Sequence, residues 1–379
     1  GIVLHRKMTK NRSNYVNKIE VLKEGLKVFF SNKSEDIFPN IWLRDHAKDE
    51  SNWDERSNQR KTFTAKLNPD IKIKNANISN QGEYIDIIWS DTSNNIQYSS
   101  EFLYKNSINY SYDKNQIKIW ETKEIKDDIF LNYENITSSE GLKNLLTKLH
   151  SFGFAVIKDC QKDMSSVEFL AKKIGYVRNS IFGGLWSFES NADMADSAYT
   201  NEELRPHTDS TYSNDAPGLQ LLLCCEYNAK GGESIMVDGL KIAENIKAKN
   251  KDLYHVLTKI DVPGNYTGDG VILEAKRPII KLDDKNQITQ ISFNNYDRAP
   301  FRLNPELTKI FYQAISLFDS LVNSKQYQWR HILKPGELLI FNNWRILHGR
   351  GSFNGKRKMK GCYINKEDFD SACKVNGLI

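Results

Sequence analysis

The feature that most constrains this chain is a succession of short, strand-like segments after Ser138 that never settles into strand–helix alternation. Leu219–Glu226, Glu233–Val237, Ile279–Lys281, Ile288–Phe293, Glu337–Phe341 and Gly361–Ile364 are rich in apolar and β-branched residues and are bounded by turn formers. Helical spacing interrupts them at Gly141–Ser151, Val167–Ile174, Leu240–Lys247 and Pro305–Asn323, and Gly153–Ile157 reads as a buried strand between the first two. A parallel sheet needs a crossover, usually a helix, between its paired strands. This pattern therefore predicts a mainly β fold with some α, as an antiparallel sandwich or jelly roll. From Lys18 to Tyr112 the strands Leu26–Phe30, Tyr84–Trp89 and Ile96–Ser99 are separated by polar turns, without a sustained helical period. With the Asn-rich stretch Ser107–Ile117 as linker, a small β-rich domain is expected over residues 1–115 and a larger one over 116–379.

Composition narrows the functional classes. At 39% hydrophobic and 27% charged residues, the chain has enough apolar surface for an ordinary core. Its longest apolar runs, such as Leu219–Cys225, are strand-sized, against the roughly 20 residues of a membrane helix, so no membrane partner is expected. The net charge of +5 is spread among 48 acids, and no basic run is interleaved with aromatics, so neither is nucleic acid. Five cysteines, an odd count without C-x-x-C, imply reduced thiols and a cytoplasmic location. The first nineteen residues are basic and lack acids, which keeps a mitochondrial matrix location as the alternative; without an apolar h-region a secretory signal is not expected.

The chemistry-bearing pattern is Arg205-Pro-His-Thr-Asp-Ser210. In an extended strand residues i and i+2 point to the same side, so His207 and Asp209 can hold one ion. His348, in Asn342-Asn-Trp-Arg-Ile-Leu-His-Gly-Arg350, offers a third donor. Two imidazoles and one carboxylate on one face of an octahedron leave positions open, as Fe(II) needs for a chelating cosubstrate and O₂. Taken alone, H-x-D is a weak motif; its placement on either side of a strand-rich segment gives it weight. Arg357, nine residues beyond His348, is placed to grip the remote carboxylate of 2-oxoglutarate bidentately, and Ser234 in Gly231-Gly-Glu-Ser234 to add a hydroxyl.

These motifs together resemble the γ-butyrobetaine and trimethyllysine dioxygenases of the taurine-dioxygenase-like superfamily. The likeness runs through Asn40-Ile-Trp-Leu-Arg-Asp-His46, Phe182-Gly-Gly-Leu-Trp186, Ala198-Tyr-Thr200 and His207-Thr-Asp-Ser-Thr-Tyr212. It continues through Gly231-Gly-Glu-Ser234, Val237-Asp-Gly239, Asn294-Asn-Tyr-Asp-Arg-Ala299, Asn343-Trp-Arg-Ile-Leu-His-Gly-Arg350 and Gly361-Cys-Tyr363, and it is strongest to the trimethyllysine branch. The resemblance implies a double-stranded β-helix catalytic domain, a β-rich N-terminal domain, a homodimer, Fe(II) with 2-oxoglutarate and O₂ as cosubstrates, and support by ascorbate. It departs at Ala47–Arg60, where relatives carry the cysteines of a structural zinc site and this chain has none, so no zinc is expected. It departs again at Asn342-Asn343, where relatives have Asp-Asn.

The resemblance also implies a substrate pocket. Phe182, Trp186, Tyr199 and Tyr363 fall on positions of an aromatic cage, which holds a quaternary ammonium by cation–π attraction. Asp196 matches a position where an acid can pair with an α-ammonium, and Asn294 and Asn295 are placed for an α-carboxylate. Arg298 would suit a phosphonate at the same end. The expected reaction is 3-hydroxylation of N6-trimethyllysine, of the carnitine-biosynthesis type; γ-butyrobetaine and trimethylaminoethylphosphonate are the alternative substrates. A methyl-lysine protein oxygenase is the reading from a different class, and a catalytically dead sensor is disfavoured by the intact His207, Asp209, His348 and Arg357 set.

Overall fold

The computed structural model describes residues 14–110, 116–191 and 202–379, with the Asn191 side chain excepted. It forms two compact units, Gly1–Tyr112 and Asp113–Ile379. In the first, two antiparallel three-stranded sheets, Val16–Val21/Gly25–Phe30/Glu35–Pro39 and Ile73–Ser79/Tyr84–Trp89/Ile96–Ser99, enclose a core that includes Leu26, Val28, Ile85, Ile87 and Trp89. Strict alternation along Tyr84–Trp89 buries every second side chain, as a one-face sheet requires. Short helices Asn40–Asp45 and Ser100–Lys105, not foreseen from the sequence, follow strands; Ser99 caps the second by accepting from the Phe102 amide. The cysteine-free segment 47–60 is tied by polar contacts. Buried Arg44 donates to both oxygens of Asp91 at 3.1 Å and to Asn52, whose amide donates to Asp49 at 2.6 Å.

The larger unit is a jelly roll, and its sheet order shows why. One sheet runs Trp186–Asn191, Phe353–Asn365, Pro217–Gly231, Leu338–Asn342, Phe154–Lys158 and Phe130–Asn132. The other runs Leu204–His207, Ile346–Arg350, Ser234–Asp238 and Trp329–His331. Pro217–Gly231 lies in the first sheet and Ser234–Asp238 in the second; Leu338–Asn342, Ile346–Arg350 and Phe353–Asn365 cross to the second sheet and back. This exchange winds a double-stranded β-helix, antiparallel except where Phe130–Asn132 joins Phe154–Lys158 in parallel. Gly231 and Gly232 both take positive φ (81° and 76°) at one crossing, a conformation that a side chain would strain.

Three apolar layers follow from the pleat. Phe154, Val156, Cys224, Met236, Phe341 and Met359 meet between the sheets. Helices Ser139–Phe152, Met164–Ile174 and Lys366–Val375 cover the outer face of the first sheet through Leu149, Leu170 and Phe369. Helices Gly239–Lys249, Lys251–Lys259 and Pro305–Val322 cover the second through Ile242, Leu257 and Phe318.

One buried ion pair joins these layers. Arg345 donates from Nε and Nη2 to the two oxygens of Asp238 at 3.0 and 2.9 Å, from Nη1 to the Ser151 carbonyl at 2.9 Å, and from Nη2 to the Lys118 carbonyl at 2.8 Å. Removing one partner of a buried pair strands the other charge and costs about 3–5 kcal/mol. We therefore expect Asp238→Ala to lower the unfolding free energy of the larger unit by about that amount in urea titration. A loss below about 1 kcal/mol would mean that the pair is dispensable.

Candidate active site

His207 ends the strand Leu204–His207 directly opposite His348 on Ile346–Arg350, so the sheet register itself sets the two imidazoles side by side, their ring centroids 4.5 Å apart. The chain then turns sharply at Ser210, which has φ of 59°, and Asp209 falls between them. Its Oδ1 lies 3.2 Å from His207 Nε2 and 3.1 Å from His348 Nε2. Those are the spacings of adjacent corners of an octahedron with bonds of about 2.1 Å, which sit about 3 Å apart.

Two of the three donors, His207 and Asp209, are held from behind. His207 Nδ1 lies 2.8 Å from the Arg205 carbonyl, which fixes the tautomer with Nδ1 protonated and turns the Nε2 lone pair inward. The Asp209 amide donates to Asn343 Oδ1 at 2.8 Å, and Asn343 Nδ2 donates to the Asp209 carbonyl at 3.1 Å and the Pro217 carbonyl at 3.0 Å. Tyr363 donates its hydroxyl to Asp209 Oδ2 at 2.7 Å, leaving Oδ1 for the ion. Asn342 Oδ1 accepts from the Trp344 amide at 2.9 Å, a contact that an Asp at this position would make equally well.

The three donors influence one another's charge. Burial disfavours charge on Asp209, yet the flanking His348 and His207 hold its carboxyl well below the usual range. Burial opposes a proton on His207 too, but the hydrogen bond and charge of Asp209 outweigh it and raise its pKa; at His348 burial wins and the pKa falls. A divalent cation would serve all three donors at once, which suits this donor set to hold iron.

Strand parity builds the surroundings. Arg357, Met359, Gly361 and Tyr363 share the inward face of Phe353–Asn365, while Arg350 shares that of His348. The Arg357 and Arg350 guanidinium groups lie 4.9 and 5.0 Å from the Phe353 ring centroid, and neither has a carboxylate partner among the described residues. Burial, with the neighbouring Arg357 charge, pulls Arg350 down to about 10, and burial also lowers Arg357. Arg357 is buried and Arg350 half-buried, and two such cations without a carboxylate partner among the described residues suit an anion. Ser234 is buried on the inward face of its strand, in register with Arg350.

Trp186 pairs in register with Gly361 and lies so close over it that a Cβ there would stand 2.4 Å from the ring. It meets Tyr363 edge-on at 6.1 Å. Phe182 is 52% exposed and stacks on none of the described rings, so the structure joins Trp186 and Tyr363 but not Phe182. Asp196 and Tyr199 lie outside the described residues.

One assignment needs correction. Asn294 is not free for a carboxylate: its Nδ2 donates to the Thr208 carbonyl and Asp297 Oδ2, and its Oδ1 accepts the Tyr296 and Asp297 amides. It is the clasp of its own turn. Asn295 and Arg298 do line a cavity of about 410 Å³ that reaches His207. The sequence reading missed Asn343, Arg350 and Gln220. Arg350 was legible by the two-residue period from His348. Gln220 was legible as the single polar residue of an apolar run; it pairs with Tyr363 and Phe341, and its Oε1 is buried without a partner.

With this geometry established, comparison with known proteins gives the class. The Taurine catabolism dioxygenase TauD, TfdA family matches residues 121–363, and the Gamma-butyrobetaine hydroxylase-like, N-terminal family matches residues 18–104. The chain belongs to the TauD/TfdA dioxygenase family, the Fe(II)/2-oxoglutarate-dependent enzymes. Among its relatives, the trimethyllysine dioxygenase of Meyerozyma guilliermondii is 30% identical over 88% of this chain and 89% of its own. The mitochondrial trimethyllysine dioxygenase of Gallus gallus is 29% identical over 90% and 84%, and the gamma-butyrobetaine dioxygenase of Pongo abelii 27% identical over 90% and 91%.

The clasp by Asn343 yields a prediction that does not depend on turnover. Losing a group that orients a metal ligand typically weakens metal binding by about 10–100-fold. Asn343→Ala should show that loss in a Co(II) titration followed by absorbance, and wild-type affinity would rule the clasp unnecessary.

Proposed function

We propose that this enzyme hydroxylates N6-trimethyllysine at C3, with iron held by His207, Asp209 and His348. The observation that carries the reading is the meeting, within one jelly-roll interior, of the three metal donors, a counter-ion-free arginine pair and the Trp186–Tyr363 aromatic corner. The relatives named trimethyllysine dioxygenase support the choice of substrate.

In this mechanism iron with 2-oxoglutarate and O₂ supplies the oxidising power. The residues supply position. Arg357 grips the remote carboxylate of 2-oxoglutarate, with Arg350 and Ser234 beside it. His207, Asp209 and His348 keep their donors on one side, so the remaining directions face the cosubstrates. Trp186 and Tyr363, with Tyr199, hold the trimethylammonium, which cannot donate hydrogen bonds and is attracted to ring faces. Asp196 pairs with the α-ammonium, and Asn295 and Arg298 serve the α-carboxylate. Held at both ends, the chain presents one carbon to the metal.

The same reading includes ascorbate as a supporting reductant, a small unit that needs no zinc, and a homodimer. Five free, buried cysteines fit a reducing compartment, the cytoplasm or alternatively the mitochondrial matrix.

The test is succinate release from 2-oxoglutarate with Fe(II) across trimethyllysine, γ-butyrobetaine and trimethylaminoethylphosphonate. Trimethyllysine should give the highest kcat/KM, and a clear preference for either other compound would overturn the substrate assignment. His348→Ala should abolish turnover. Trp186→Ala should raise KM for trimethyllysine roughly tenfold, equivalent to about 1.4 kcal/mol and within the range of a desolvated cation–π contact.

A further inference from the structure

Arg277 is 7% exposed, and among the described residues its guanidinium has only neutral hydrogen-bond partners. Nε donates to Ser292 Oγ at 2.7 Å, and the two terminal nitrogens donate to the Ser213 and Ser210 carbonyls at 2.7 and 3.3 Å. Those carbonyls belong to the turn that follows Asp209, so a buried cation braces the turn that bears a metal donor. Burial lowers the Arg277 pKa, and the charge of Asp215, which lies 3.9 Å from Arg178, offsets this only in part. A buried charge without a close partner is costly.

Arg277 lines a small cavity with Thr211, Ser292, Asn295 and Arg298, and no acid is among its lining residues. Thr211 Oγ1 is buried without a hydrogen-bond partner. Ser292 Oγ accepts from Arg277 and so keeps its own hydrogen to donate. The Arg298 guanidinium has no hydrogen bond or ion pair among the described residues. The strand Val262–Gly268 closes the space. A Cβ on Gly264 would stand 2.8 Å from Thr211 Oγ1, and Gly264 forms a β-bridge with Arg298. The cavity measures about 20 Å³, room for one body the size of a water molecule. A carboxylate or an oxyanion such as phosphate exceeds that, whereas a chloride ion does not. Two guanidinium groups and two hydroxyls favour an anion over water, because only an anion offsets the buried charge.

We propose that Thr211, Arg277, Ser292 and Arg298 form a binding site for a monoatomic anion of the chloride kind. It joins the metal-bearing turn to the segment 293–298, shares no residue with the Arg350–Arg357 pair, and does not depend on which substrate the enzyme takes. Arg298 also lines the larger cavity that reaches His207, and its five N–H donors let one guanidinium serve both.

The experiment uses the full chain in potassium gluconate, with potassium chloride replacing it at constant ionic strength. Chloride should raise the melting temperature along a saturating curve, and the chloride NMR line should broaden when protein is added. Thr211→Val keeps the side-chain shape and, since that hydroxyl has no partner, breaks no internal hydrogen bond. It should weaken chloride binding about tenfold or more, the loss expected for a hydrogen bond to a charged partner. Arg298→Gln should weaken it at least as much, and acetate in place of chloride should raise the melting temperature no further than gluconate does. A melting temperature and line width indifferent to chloride would overturn the proposal. So would chloride binding that survives unchanged in Thr211→Val. An acetate response equal to that of chloride would also overturn it and make this a carboxylate site. Should Arg298→Gln fail to fold, Thr211→Val and the wild-type titration still decide.

Discussion

The buried pair Asp238–Arg345 is the constraint on which the jelly roll and its site both depend. Each of its two side chains is at most 6% exposed, so neither charge is screened by water. The carboxylate accepts from Nε and Nη2 of Arg345, from the Trp120 amide and from the Leu240 amide. The guanidinium reaches three further carbonyls, of His150, Ser151 and Lys118. A buried ion pair with this many satisfied groups stabilises less by its charge than by the single arrangement it permits, because any other leaves an ion uncompensated. Here that arrangement fixes where Ile346–Arg350 begins. His348, two residues into that strand, inherits its position.

Asn343 extends the same logic toward the metal donors. It and Arg345 lie in one short connection between Leu338–Asn342 and Ile346–Arg350. Arg345 reaches back to the fold, whereas Asn343 reaches forward to both backbone groups of Asp209. The connection thus ties the H-x-D turn to the strand that carries the second histidine, although the two lie far apart in sequence. Donors set by sheet register and buried hydrogen bonds need little reorganisation when an ion enters.

Much of this was legible from residue order, and the gaps have physical causes. The strand at 219–226 was readable from its apolar run, but it continues to Gly231 through polar Asn228 and Lys230 because backbone pairing with Phe353–Asn365 persists there. Side-chain pattern reports burial and is silent about ladders made at an exposed end. The hairpin Val262–Gly268/Val271–Arg277 went unread despite its Asp269-Gly270 turn, both residues at positive φ, because its faces are partly exposed and its alternation weak. At the site, the clustering of His207, Asp209 and His348 follows from motif spacing, although the strand ends at His207 and Asp209 lies in the turn beyond it. The role of Asn294 does not follow, since whether an amide faces a ligand or clasps its own turn depends on contacts with Thr208, 86 residues away.

The polar atoms left without partners bear on what completes this interior. Gln220 Oε1, Trp186 Nε1, His348 Nδ1 and Arg350 Nε are all buried and unpaired among the described residues. A buried polar group without a hydrogen bond costs about 1–3 kcal/mol, so a fold avoids such groups unless something else satisfies them. All four belong to residues placed around the metal donors by register: Gln220 beside Tyr363, Trp186 over Gly361, and Arg350 two residues from His348. At the Asp238–Arg345 pair, by contrast, every nitrogen of the guanidinium is used. A bound cosubstrate or substrate would supply partners to those of the four atoms that face it. Affinity for such ligands would then depend on polar complementarity at these residues.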